Sequence, residues 1–148
     1  MKMMHRAAIL AASLSLALGA TPAMTQSDPF VGGDFVEVAS VTIDDGHYLD
    51  YAAFLASQWR AQQEFAKSQG WITGYEVLGN SNKRPGEPDL LLITRYKDMP
   101  NGAEGDRRSK LFMASTKATD KSMEMASGDR AKYRHVIGTQ LFQVLSFR

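Results

Sequence analysis

The chain has 148 residues, a formal net charge of +1, 44% apolar residues and no cysteine; disulfides and thiolate chemistry are excluded, and stability must come from an ordinary apolar core. Two of its 17 basic residues, Lys2 and Arg6, lie in a candidate targeting segment, and without residues 1–23 the basic count is 15 against 16 acidic residues. The resulting balance of −1 leaves no basic stripe to follow a phosphate backbone, so nucleic acid is not an expected partner.

Lys2, His5 and Arg6 precede an uncharged, mostly apolar run from Ala7 to Gly19, and the small residues of ATPAM follow. This build predicts a signal peptide over residues 1–23, with Thr21 and Ala23 at the two positions that need small side chains; Ala20 and Thr25 are alternative cut sites. The run is shorter than the roughly 20 apolar residues that span a bilayer. Removal is therefore expected rather than retention as an anchor, giving a periplasmic or secreted protein with no stable membrane insertion. A lipid anchor is excluded for want of a cysteine to acylate. Residues 24–33, MTQSDPFVGG, read as a flexible leader, and residues 34–148 as one folded domain of a size that can bury its own core.

FVEVASVTI, Phe35 to Ile43, is rich in β-branched residues and predicts a strand. DDG breaks it, with Asp44 or Asp45 placed to cap a helix from about His47 to Gln69. Tyr48, Ala52, Leu55, Trp59 and Ala66 recur there at helical spacing, and Gly70 is a natural stop. WITGYEVLGN, Trp71 to Asn80, predicts a second strand, and SNKRPGEP a solvated loop. DLLLITRYK, Asp89 to Lys97, is the most continuously apolar strand and is expected in the middle of a sheet. Asn101 and Glu104 resemble a capping box before a second helix, about Ala103 to Ser127, with a break expected in STKATDKS. VIGTQLFQVLSF, Val136 to Phe147, predicts the last strand.

Strand, helix, strand, strand, helix, strand is best buried as a split βαβ arrangement: an α+β fold of ferredoxin-like βαββαβ topology, one four-stranded antiparallel sheet with two helices on one face. The other face stays bare. It would carry Val36 and Val38, with either Leu141, Leu145 and Phe147 or Phe142 and Val144 from the last strand. Such a patch predicts a homodimer packed sheet to sheet.

The order of elements, the aromatic first helix ending in KSQGWITGYEVL, the DLLLITRYKDMP strand and turn, and the terminal IGTQLFQVLSF strand resemble the dimeric α/β-barrel superfamily over about Asp34 to Arg148. That group includes antibiotic-biosynthesis-type monooxygenases and muconolactone-isomerase-like proteins. The resemblance implies a pocket between sheet and helices but no particular activity, and no catalytic signature carries over residue by residue.

Two histidines remain after residue 23. His47, close to Asp44, Asp45 and Asp50, is either a base or ligand oriented by a carboxylate or an exposed first-turn residue among capping groups. His135 lies at a strand mouth two residues after Tyr133, on the same side if the stretch is extended. The pair either moves a proton on a phenol or enol, or is a plain strand entry. His135, Tyr133 and His47 are thus the candidate catalytic residues of a cofactor-independent monooxygenase- or isomerase-like enzyme. The histidine spacings fit no metal motif, and there is no phosphate loop or nucleophile elbow. No cofactor is expected. Tyr51, Trp59, Trp71 and Tyr75 are either core or the walls of a cleft for a small apolar or aromatic molecule. Arg95 either pairs with a carboxylate such as Glu76 or anchors an anion in that cleft.

Overall fold

The structure, a computed structural model, describes residues 28–148. The candidate signal segment and the start of the leader lie outside the described residues. The elements run β1 (Phe30–Ile43), α1 (Tyr48–Phe54), a π-helical turn (Leu55–Trp59), α2 (Arg60–Ser68), β2 (Gly74–Gly79), β3 (Leu90–Tyr96), α3 (Gly102–Thr116), α4 (Asp120–Arg130) and β4 (Arg134–Phe147). Every strand pairing is antiparallel and the sheet order is β2-β3-β1-β4. That is the α+β, ferredoxin-like arrangement expected from the order of elements, and it places the apolar β3 inside the sheet.

Four local expectations change. β1 starts at Phe30, so the last four residues of the expected leader are strand paired with the end of β4. The long first helix is continuous in the chain but widens into a π turn over LASQW. Asp44 and Asp45 do not cap it: His47 is the N-cap residue and makes no side-chain cap bond, and the Asp44 carboxylate bonds His135. Asn101 does cap α3 by accepting from the Glu104 amide, but the Glu104 carboxylate pairs with Arg107 and Arg108 rather than closing a capping box.

The end of α2 shows how sequence fixes a helix stop. Gly70 takes φ +70°, which only glycine adopts cheaply. Its amide donates to the Lys67 carbonyl at 3.0 Å, and the Trp71 amide donates to the Ala66 carbonyl at 3.0 Å. These are the two bonds of a Schellman motif. The apolar contact that accompanies it is present too, with the Trp71 and Phe65 rings edge to face at 5.4 Å. The break in STKATDKS also occurs. Lys117 has φ +54° and ends α3, and Thr119 and Ser122 form a reciprocal capping box that starts α4.

Val41, Tyr51, Leu55 and Leu90 form the buried core, where the first helix meets the middle of the sheet. Strand alternation then assigns the faces. Val41 pairs with Leu90 and faces the helices, so Val36 and Val38 point to the opposite side. Val36 pairs with Phe142, which puts Phe142 and Val144, not Leu141, Leu145 and Phe147, on the uncovered face. Phe142 and Val144 are 50% and 45% exposed. α3 and α4 lie against the first helix rather than deep on the sheet: Phe112 meets Phe65 at 5.9 Å, and neither helix has a buried residue.

Candidate functional site

Two clefts flank the first helix. One, of about 420 Å³, lies between that helix and the β2–β3 side of the sheet. Tyr48, Ala52, Ala56 and Trp59 descend along its helical wall at spacings of four, four and three, so they share one face. Ala52 and Ala56 are small and leave the groove open. Leu55 and Leu90 floor it, Tyr75 and Val77 form the strand wall, and Arg60 stands at its edge as the one charged residue in the lining. The Trp59 and Tyr75 rings meet edge to face at 5.4 Å and close one end. The Tyr75 hydroxyl donates to Glu64 at 2.5 Å, and this bond to a carboxylate raises the phenol above its ordinary value. Three lining residues, Leu55, Ala56 and Trp59, belong to the π turn; such turns shift the helical register by one residue and are frequent at functional sites. Tyr48 is 58% exposed, so the groove presents apolar surface to solvent.

Of the five expected ligand residues, Trp59 and Tyr75 are in this groove and three are elsewhere. Tyr51 is 2% exposed and belongs to the core, where burial raises its phenol. Trp71 caps α2 beside Phe65, with the Arg108 guanidinium 5.7 Å from its ring centre. Arg95 pairs with Glu76 at 2.6 Å. It lies opposite Gly74 in register and, like Val36, on the sheet face away from the helices. A cross-strand carboxylate thus neutralises it, and it lines neither cleft.

Of the three candidate catalytic residues the structure brings His47 and Tyr133 together; His135, opposite Thr42 in register, lies on the sheet face away from the core on which Tyr133 packs. His47 and Tyr133 stack with ring centres 5.1 Å apart. The His135 Nε2–H donates to Asp44 at 3.0 Å, and the His47 Nδ1–H to Asp50 at 2.9 Å. The Asp44 amide donates to the Tyr133 carbonyl at 2.9 Å, tying the two loops. Tyr133 packs on the core, while the His135 and Asp44 side chains are about half exposed. None of the three candidate catalytic residues lines either cleft. Among the described residues no three His, Cys, Asp or Glu side chains converge to hold a metal.

The second cleft, of about 610 Å³, separates the first helix from α3 and α4. Gln58 and Gln62 face Phe112, Met123, Ala126 and Arg130 across it. Sequence patterning did not single it out, because its walls are helix faces whose partner depends on how α3 and α4 fold back. The one available signal was the weak apolar stripe of the second helical region.

No described helix is long and apolar enough to cross a membrane. No protein-family model and no curated protein matches the chain. Among solved structures, HapK from Hahella chejuensis is similar at 9% sequence identity and a TM-score of 0.48, over 77% of this chain and 95% of that one. So distant a likeness bears on neither ligand nor activity, and the ferredoxin-like assignment rests on the strand order itself.

Proposed function

We propose that the chain is an exported, homodimeric binding domain of dimeric α/β-barrel type that holds a small apolar or aromatic molecule in the groove walled by Tyr48, Trp59, Tyr75 and Val77. The observation that carries this reading is the groove's make-up: four apolar or aromatic walls and a leucine floor around a volume suited to a small ligand. Ala52 and Ala56 leave room beneath the rings, and the edge-to-face Trp59–Tyr75 pair offers a fixed aromatic wall. The bare sheet face with Val36, Val38, Phe142 and Val144 supports pairing with a second copy, since an uncovered apolar patch beside the Arg95–Glu76 ion pair is costly in water. The signal-like start supports export.

The alternative, a cofactor-independent monooxygenase or isomerase that moves a proton with His135 or Tyr133, requires one of those side chains to face a cavity near the aromatic walls. His135 is instead bonded to Asp44 on an exposed rim and Tyr133 is stacked on His47, so no observation favours it.

Fluorescence tests the binding reading. A Trp71→Phe variant leaves Trp59 as the only tryptophan. Titration with N-phenyl-1-naphthylamine should quench Trp59 saturably, and Ala56→Trp, which fills the groove, should abolish uptake of the probe in a chain that still folds. Equal uptake by the filled variant would overturn the assignment.

A further inference from the structure

We propose that the larger cleft, between the first helix and α3–α4, is a second binding site, selective for small organic anions whose carboxylate pairs with Arg130 and is held in the field of Arg134. Arg130 lies in the last turn of α4 and lines the cleft. Its guanidinium sits 4.1 Å over the Phe54 ring, and that of Arg134, the first residue of β4, 5.7 Å over Tyr51. Stacking fixes each planar fork without neutralising it. The Nε atoms of both are buried without a hydrogen-bond partner among the described residues. Nor does either guanidinium appear in any ion pair among those residues. The nearby carboxylate of Asp129 is taken by Lys132 at 2.8 Å.

The chain thus holds two adjacent cations, partly withdrawn from water, with Asp129 acting on Arg130 only through space and no carboxylate in direct contact with either among the described residues. Burial and the Arg134 charge both push Arg130 below its ordinary value, the direction in which an added anion would be favoured. A carboxylate can accept two parallel N–H bonds from one guanidinium, the geometry an arginine fork supplies. The other lining groups define the rest of the ligand. Phe112, Met123 and Ala126 suit a small apolar body, and the Gln58 and Gln62 amides suit one further polar substituent. This site is independent of the Trp59 groove and does not depend on the reading given to it.

The test compares benzoate with benzamide, which match in shape and differ in charge. Arginine Nε–Hε correlations in a 15N-labelled chain report directly on the two guanidiniums. Benzoate should shift both signals saturably and benzamide should not, and Arg130→Gln should weaken benzoate about tenfold or more, as expected for loss of a charge-assisted bond. Arg130→Lys, which keeps the charge and loses the fork, should fall between. Far-UV circular dichroism and the thermal midpoint should be unchanged in each variant, showing that the chain is folded. Should Arg130→Gln not fold, the benzoate–benzamide comparison on the parent chain decides alone. Equal affinity for the two probes, no Nε shift with millimolar benzoate, or unchanged benzoate binding in folded Arg130→Gln would overturn the proposal.

Discussion

Glu104 accepts from Arg107 and Arg108, each at 2.7 Å. Those hydrogen bonds hold its carboxyl at about 2, well below the ordinary 4.5. A carboxyl depressed in the folded state contributes stability above its unfolded value, and that contribution is lost as pH falls through the folded one. Glu104→Gln should therefore lower the thermal midpoint slightly at neutral pH, with the gap to the parent closing between pH 4.5 and about 2; added salt should narrow it, since all three side chains reach solvent. A gap independent of pH would contradict the pairing. Leu55 has a larger stake, being buried in the core and exposed to the groove floor. Leu55→Ala should cost about 2–5 kcal/mol in urea unfolding, whereas a cost below ~1 kcal/mol would show that the core is not centred there. At this scale the sequence was only partly legible. Trp59 and Tyr75 could be picked out as cleft walls because aromatics at helix and strand spacing must meet where those elements pack. Tyr51 and Trp71 looked the same in sequence, and only three-dimensional register separates a core ring and a helix-capping ring from a wall. Arg95 was readable as a pair for Glu76, since both lie on strands that a ferredoxin-like order makes neighbours.

Among the elements, the break between α3 and α4 was readable because serine, threonine and aspartate compete for backbone bonds, and the chain uses them that way. Lys117 carries the strain there, with its left-handed backbone at φ +54°. Lys117→Gly should raise stability by about 0.5–1 kcal/mol, the Cβ penalty removed less the freedom glycine adds to the unfolded chain. Thr119→Ala, which removes the cap and its half of the box, should cost about 1 kcal/mol. Thermal unfolding of the two variants checks both signs, and a destabilising Lys117→Gly would contradict the left-handed assignment. The π turn over Leu55–Trp59 was not legible. Its residues are ordinary helix formers, and the wide register comes from fitting Leu55 to the core while Trp59 reaches Tyr75. The aspartate cap of the first helix failed because the chain turns between Asp44 and His47, whose amide donates to the Asp44 carbonyl, leaving both aspartates short of the N-cap position.

For the whole molecule, strand order followed from the sequence, but the identity of the bare face did not. Both candidate sets on β4 are apolar, and a one-residue slip exchanges them. The β1–β4 register chooses Phe142 and Val144. Phe142→Lys should accordingly shift the proposed dimer to monomer in light scattering while leaving the fold intact, and Phe147→Lys, on the other side, should not. Equal assembly of the two variants would count against sheet-to-sheet pairing. The central claim, a groove that holds a small apolar or aromatic molecule in an exported dimer, meets its most direct test in native mass spectrometry of the chain purified from its own cell envelope. The prediction is a dimer lacking residues 1–23 and carrying one small organic ligand per chain, with that added mass absent from Ala56→Trp. A bare chain, or an added mass that survives filling of the groove, would contradict it.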